Sequence, residues 1–167
     1  MKVQSAWQAG ATGAGVTVAV VDSGIANTLP ELEGRISSAS TDVVVGRNTP
    51  YVASSSHGTR VSGLIAAASN NGTTMAGVGW GLKIMPIRVL GKCGGYDSDI
   101  IAGMKWAAGI SVPGLPVNAN KAKVLNLSLG GDGSCSTTCT GALYRDAISQ
   151  VNAAGSTIVV AAGNSEG

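Results

Sequence analysis

The sequence predicts an α/β domain built on a parallel β-sheet. Short β-branched apolar runs alternate with segments whose apolar residues recur at helical spacing, which is the pattern of βαβ units. The connecting stretches are rich in glycine, which supplies 25 of the 167 residues. Each apolar run also empties into small residues. Right-handed crossovers between parallel strands place helices on both faces of such a sheet, so three layers are expected.

The elements follow in order. Residues 16–21 (VTVAVV) come after the Gly-rich turn 10–15 and read as a buried strand. A polar, irregular stretch leads to a second, short strand at 42–45. Residues 57–69 space Val61, Leu64, Ile65 and Ala68 as one helical face, ended by Asn70-Asn71-Gly72. Residues 83–90 read as a strand, in which Pro86 points to an edge position or a bulge. A helix over 97–108 has Asp97 or Ser98 as its N-cap and Ile100, Ile101, Met104 and Ala108 on its apolar face. A loop with Pro113 and Pro116 leads to a strand at 123–129. Leu143, Ala147 and Val151 mark a further helix that stops at Gly155, and 156–162 forms a last strand. No repeat or linker divides the chain, so residues 1–167 are expected to form a single domain.

Composition removes several function classes. Apolar residues make up 44% and charged residues 12%, which excludes disorder. No apolar run is long enough to span a membrane. The 11 basic and 9 acidic residues are scattered, with a net charge of +2, so no basic stripe for nucleic acid exists. Residues 1–20 lack the charged start and apolar stretch of a signal peptide. Cys93, Cys135 and Cys139 include no CxxC pair, and one histidine cannot complete a Cys/His zinc site. They are either three buried thiols or one disulfide of an exported protein with a thiol left over.

In open parallel sheets, chemistry gathers beyond the carboxyl ends of the strands. Those ends carry residues 22–24, 91–96, 130–131 and 163–165, all rich in small residues. Their open main-chain groups suit an extended polypeptide gripped by backbone hydrogen bonds. His57 is the chain's one histidine, between a serine run and Gly58. A lone histidine is commonly structural, yet this small-residue shell leaves its imidazole approachable, as a general base requires. Asp22 is either a cap or ion-pair partner, or the carboxylate that orients His57. Asn164 is either a turn residue or an amide donor aimed at a developing oxyanion.

Taken together, VAVVDSGI (18–25), HGTRVSGLIAA (57–67), LNLSLGG (125–131) and VVAAGN (159–164) resemble, in order, the motifs of the subtilisin-like serine proteases, the subtilases. The resemblance implies that Asp22 orients His57, that His57 is general base and then general acid, and that Asn164 is the oxyanion donor. It implies Ser128, Leu129 and Gly130 as one wall of the substrate cleft and Gly94, Gly95 and Tyr96 as the other. It further implies a Cys93–Cys135 bridge with Cys139 free. A secreted monomer acting on polypeptides is expected, with its signal segment and inhibitory pro-segment outside this chain. No cofactor is required for the chemistry, and Glu31 and Asn71 leave room for a structural calcium.

The chain also departs from the family pattern. The family nucleophile sits in a Gly-Thr-Ser-x-Ala segment after the oxyanion Asn, and no such segment occurs here. Arg60 and Ser62 replace a usual His and Ala, and 78–84 lacks a usual Pro. The expectation is an incomplete catalytic domain, with its C-terminal part missing, that does not hydrolyse peptides alone. Two other readings are a non-catalytic peptide-binding relative and an aspartic protease suggested by VVDSG. The latter needs a second such aspartate and an all-β fold. A nucleotide site is disfavoured, because GATGAG precedes its strand.

Overall fold

The computed structural model describes residues 3–26, 28–44, 55–72, 75–131 and 140–164. Five parallel strands form one sheet: β1 (Thr17–Asp22), β2 (Thr41–Asp42), β3 (Lys83–Arg88), β4 (Val124–Leu127) and β5 (Thr157–Val160). Their spatial order is β2-β3-β1-β4-β5. Among the described residues the helices are α1 (Val3–Gln8), α2 (His57–Ala66), α3 (Asp97–Ala107) and α4 (Thr140–Ala153), plus a 3-10 turn at Pro30–Leu32.

Period-two alternation along β1 and β3 builds two cores from one sheet. Ala19, Val21, Met85, Ile87 and Val89 turn to the face covered by Met104 and Trp106 of α3 and Ala147 and Val151 of α4. Val18, Val20 and Ile84 turn to the other face, under Ala66 of α2 and Leu32 of the 3-10 turn. The three-layer α/β expectation is therefore met. No described helix is long and apolar enough to cross a membrane.

Pro86 is neither on an edge strand nor in a bulge. It lies within β3, in register with Val20 of β1. On its other side the neighbouring chain pairs at Ile36–Ile84 and resumes only at Thr41–Ile87. That interruption makes the missing N–H harmless, since no carbonyl waits for it. The helix from His57 ends at Ala66, earlier than its apolar spacing suggests. The Ala68 amide donates to the Glu31 carbonyl instead, drawing the chain out of the helix. The short helix α1 was not anticipated, because none of its residues is buried. It is held by Trp7, which lies 4.9 Å from Trp80 between ring centroids and donates from Nε1 to the Val78 carbonyl.

Between α4 and α3, the Tyr144 hydroxyl donates to Asp97 Oδ1 at 2.9 Å. Burial first, then the hydrogen bond to Asp97 and its charge, push this phenol well above its ordinary value of 10.0. A tyrosine whose folded value is raised stabilises the fold fully below its unfolded value, and that contribution is lost as pH climbs beyond it. Melting temperature is thus expected to fall with alkaline pH more steeply in the wild type than in Tyr144→Phe. Parallel curves for the two proteins would refute this.

Candidate active site

The apolar run of β1 stops at Asp22, which is fully buried at the carboxyl end of the central strand. The first turn of α2 lands directly on this strand end. Gly58 allows it: a Cβ there would stand 2.4 Å from the Gly24 carbonyl oxygen and 3.1 Å from Asp22 Cβ. Ser23 fastens the two segments. Its Oγ accepts the Gly58 N–H at 3.1 Å and the Ser55 hydroxyl at 3.0 Å. One of the otherwise orphaned amides at the helix start is satisfied in this way.

The outcome is an Asp–His pair. His57 Nδ1 lies 3.0 Å from Asp22 Oδ1 and 2.9 Å from Oδ2. The Ser23 amide donates to Oδ1 at 2.6 Å. A buried carboxylate needs such donors, and this one has them from the backbone and the imidazole. With Nδ1–H engaged, Nε2 is the basic nitrogen, and the His57 side chain is 53% exposed. The imidazole is thus anchored on one side and open on the other, the arrangement a general base requires.

The other sequence-predicted residues share this edge of the sheet. Ser128, Leu129 and Gly130 follow β4, and Gly94, Gly95 and Tyr96 follow β3. Because β3 and β4 are the two neighbours of β1, these segments flank Asp22 on either side. Ser128 accepts a hydrogen bond from Asn126 Nδ2 at 2.9 Å, and Leu129 packs on the larger core. Gly130 is exposed. The loop after β3 folds back through paired Gly91 and Gly94, and a Cβ on Gly95 would stand 2.5 Å from the Val89 carbonyl oxygen. Tyr96 is 76% exposed. Asn164 is exposed at the bend beyond β5, after Gly163 at φ +95°. Among these described residues, Asp22 and His57 are joined by side-chain hydrogen bonds.

Cys93 is exposed, which excludes the buried reading for it, and it has no disulfide partner among the described residues. Its expected partner Cys135 lies outside the described residues, as does Cys139. Asn71 Nδ2 donates to Glu31 Oε2 at 3.4 Å. These two side chains fall short of the roughly six to eight oxygens that calcium takes. Among the described residues, no group of three or more His, Cys, Asp or Glu side chains could hold a metal. A cavity of about 510 Å³ at the 3-10 turn, lined by Leu29, Pro30, Leu32 and Glu33 among others, shares no residue with the Asp–His pair.

Ser23 holds Asp22 through its amide and fastens α2 to β1 through its hydroxyl. Sequence reasoning missed one residue. Arg88 is a fully buried cation at the end of β3, betrayed only by a charge closing an apolar run.

Fold and pair together define a parallel α/β domain with a histidine hydrogen-bonded to a buried carboxylate at the end of its central strand. The known protein family models include one, described as the Subtilase family, that matches residues 13–167. The extracellular protease of Xanthomonas campestris pv. campestris is 42% identical, covering 98% of this chain and 32% of its own length. The extracellular basic protease of Dichelobacter nodosus is 41% identical, over 98% and 31% respectively. A solved protease structure from Pseudoalteromonas arctica PAMC 21717 matches with a TM-score of 0.85 and 39% identity, over 97% of this chain and 53% of that one. The chain belongs to the subtilase family of serine proteases. It spans about a third of the length of those two curated relatives and about half of the solved chain.

Proposed function

We propose that these residues form the Asp–His half of a secreted endopeptidase that cleaves polypeptides through an acyl-enzyme. The observation that carries this is His57 Nδ1 held 2.9 Å from the buried carboxylate of Asp22 at the end of the central strand. Asp22 fixes the tautomer and ring orientation. His57 Nε2 takes the proton of a serine hydroxyl as that oxygen attacks the scissile carbonyl, then returns it to the leaving amine. Asn164 donates its amide to the oxyanion of the tetrahedral intermediate. The substrate lies as an added strand between Gly94–Tyr96 and Ser128–Gly130. Export is supported by the two relatives named as extracellular proteases.

The 167 residues contain no Gly-Thr-Ser-x-Ala segment. These residues therefore supply no nucleophile of that kind, and the chain by itself is expected not to hydrolyse peptides.

The test is a chimaera in which residues 1–167 replace the matching part of the Pseudoalteromonas arctica enzyme. It is expected to cleave a chromogenic peptide. Asp22→Asn should lower kcat about 10⁴-fold, because the amide stabilises the wrong tautomer of His57, while KM changes little. Peptide binding without turnover in a folded chimaera would favour the non-catalytic relative. An Asp22→Asn variant of undiminished rate would overturn the assigned roles.

A further inference from the structure

Asp22, Arg88 and Asp42 form one row across the carboxyl ends of three adjacent strands. Asp22 is the register partner of Arg88, and Arg88 is the register partner of Asp42. Their chain neighbours Val21, Ile87 and Val43 pack into the core under α3 and α4. Alternation therefore turns all three charged side chains to the α2 side, where His57 meets Asp22.

Arg88 is fully buried, and its Nη1 lies 3.1 Å from Asp42 Oδ2, itself buried. Its Nε and Nη2 have no hydrogen-bond partner among the described residues. As a packing element this is a poor choice. Buried ion pairs give little net stability over apolar side chains of equal volume, and buried N–H groups left unpaired cost more. A guanidinium also cannot lose its proton inside a protein. What Arg88 contributes is a permanent positive charge between two buried carboxylates.

We propose that Arg88 is a positioning residue for Asp22. Its charge offsets the repulsion between Asp22 and Asp42, so that Asp22 can stand as a carboxylate against the His57 Nδ1–H. This rests on reading Asp22 and His57 as the catalytic pair. Other charged groups on the elements around β1 are placed differently. Lys83 is at the opposite end of β3, Arg60 of α2 is exposed and bonds Ser56, and β4 carries no charge. Asp97, Asp99 and Lys105 belong to α3, which covers the other face of the sheet. Asp99 is raised by burial and then by the Asp42 charge, with Ser98 lowering it.

His57 is the only histidine in the chain, so one signal reports the pair. In the ¹⁵N-histidine-labelled 167-residue chain, the Nδ1 proton should resonate at low field, as a proton shared with a carboxylate does. Asp22→Asn should abolish that signal, which tests the underlying reading separately. Arg88→Gln should also abolish it while circular dichroism shows the fold retained, whereas Arg88→Lys and Asp42→Asn should keep it. A folded Arg88→Gln chain with the signal unchanged overturns the proposal. Should Arg88→Gln fail to fold, Arg88→Lys decides: a folded chain that keeps the signal supports the role of charge, and one without it overturns the proposal. A wild-type signal that is absent, or that survives Asp22→Asn, overturns the pair and this inference with it.

Discussion

In the chimaera, His57→Ala is expected to lower kcat by about 10⁶-fold. Without the imidazole the serine hydroxyl has no base to receive its proton. Asp22 cannot substitute, because it is fully buried and held by the Ser23 amide. KM should move little, since the walls at Gly94–Tyr96 and Ser128–Gly130 are untouched. A residual rate some 10³–10⁴ above water is expected from the oxyanion donor and binding alone. Stopped assays with a chromogenic peptide would measure this, and a kcat within tenfold of the parent would mean that His57 is not the base.

Gly58→Ala should act on the site and the fold together. Helix propensity alone predicts a gain of about 1 kcal/mol on replacing glycine by alanine in a helix. Sterics reverse the sign. The new Cβ would stand 2.4 Å from the Gly24 carbonyl oxygen, which is backbone and cannot swing aside, and 3.1 Å from Asp22 Cβ. The first turn of α2 must retreat from β1, at a typical overpacking cost of about 1–3 kcal/mol. That retreat carries His57 away from Asp22 and breaks the Ser23–Gly58 hydrogen bond. Chemical denaturation should show the loss of stability, and the chimaera should lose turnover with little change in KM. A variant more stable than the wild type would show that propensity outweighs the contact.

Much of this was legible in the sequence because the sheet is parallel and buried on both faces. Val18–Val21 and Ile84–Ile87 are continuous apolar runs for that reason, and their limits fall within a residue or two of the observed strands. The Asp22–His57 pair was legible because Asp22 closes such a run and His57 opens the helix over 57–66, at the edge where loops collect. What was not legible depended on chain segments far apart in sequence. The end of α2 is set by the Glu31 carbonyl, and the tolerance of Pro86 by a gap between Ile36 and Thr41. The burial of Arg88 follows from strand order, which the alternation of elements does not encode. The exposed Cys93 shows the same limit: a loop thiol is buried or open according to packing, not to its neighbours in sequence.

The central place of β1 has a consequence during synthesis. This strand is made first, yet both its partners come later, Lys83–Arg88 on one side and Val124–Leu127 on the other. At about 5–20 residues per second, it waits on the order of ten seconds with two unpaired backbone edges and four buried-type apolar side chains, Val18 to Val21. Nothing local can shelter it, because pairing at such separations is slow to close. The nascent chain is then most open to pairing with another copy of itself, in the interval before Val124 leaves the ribosome.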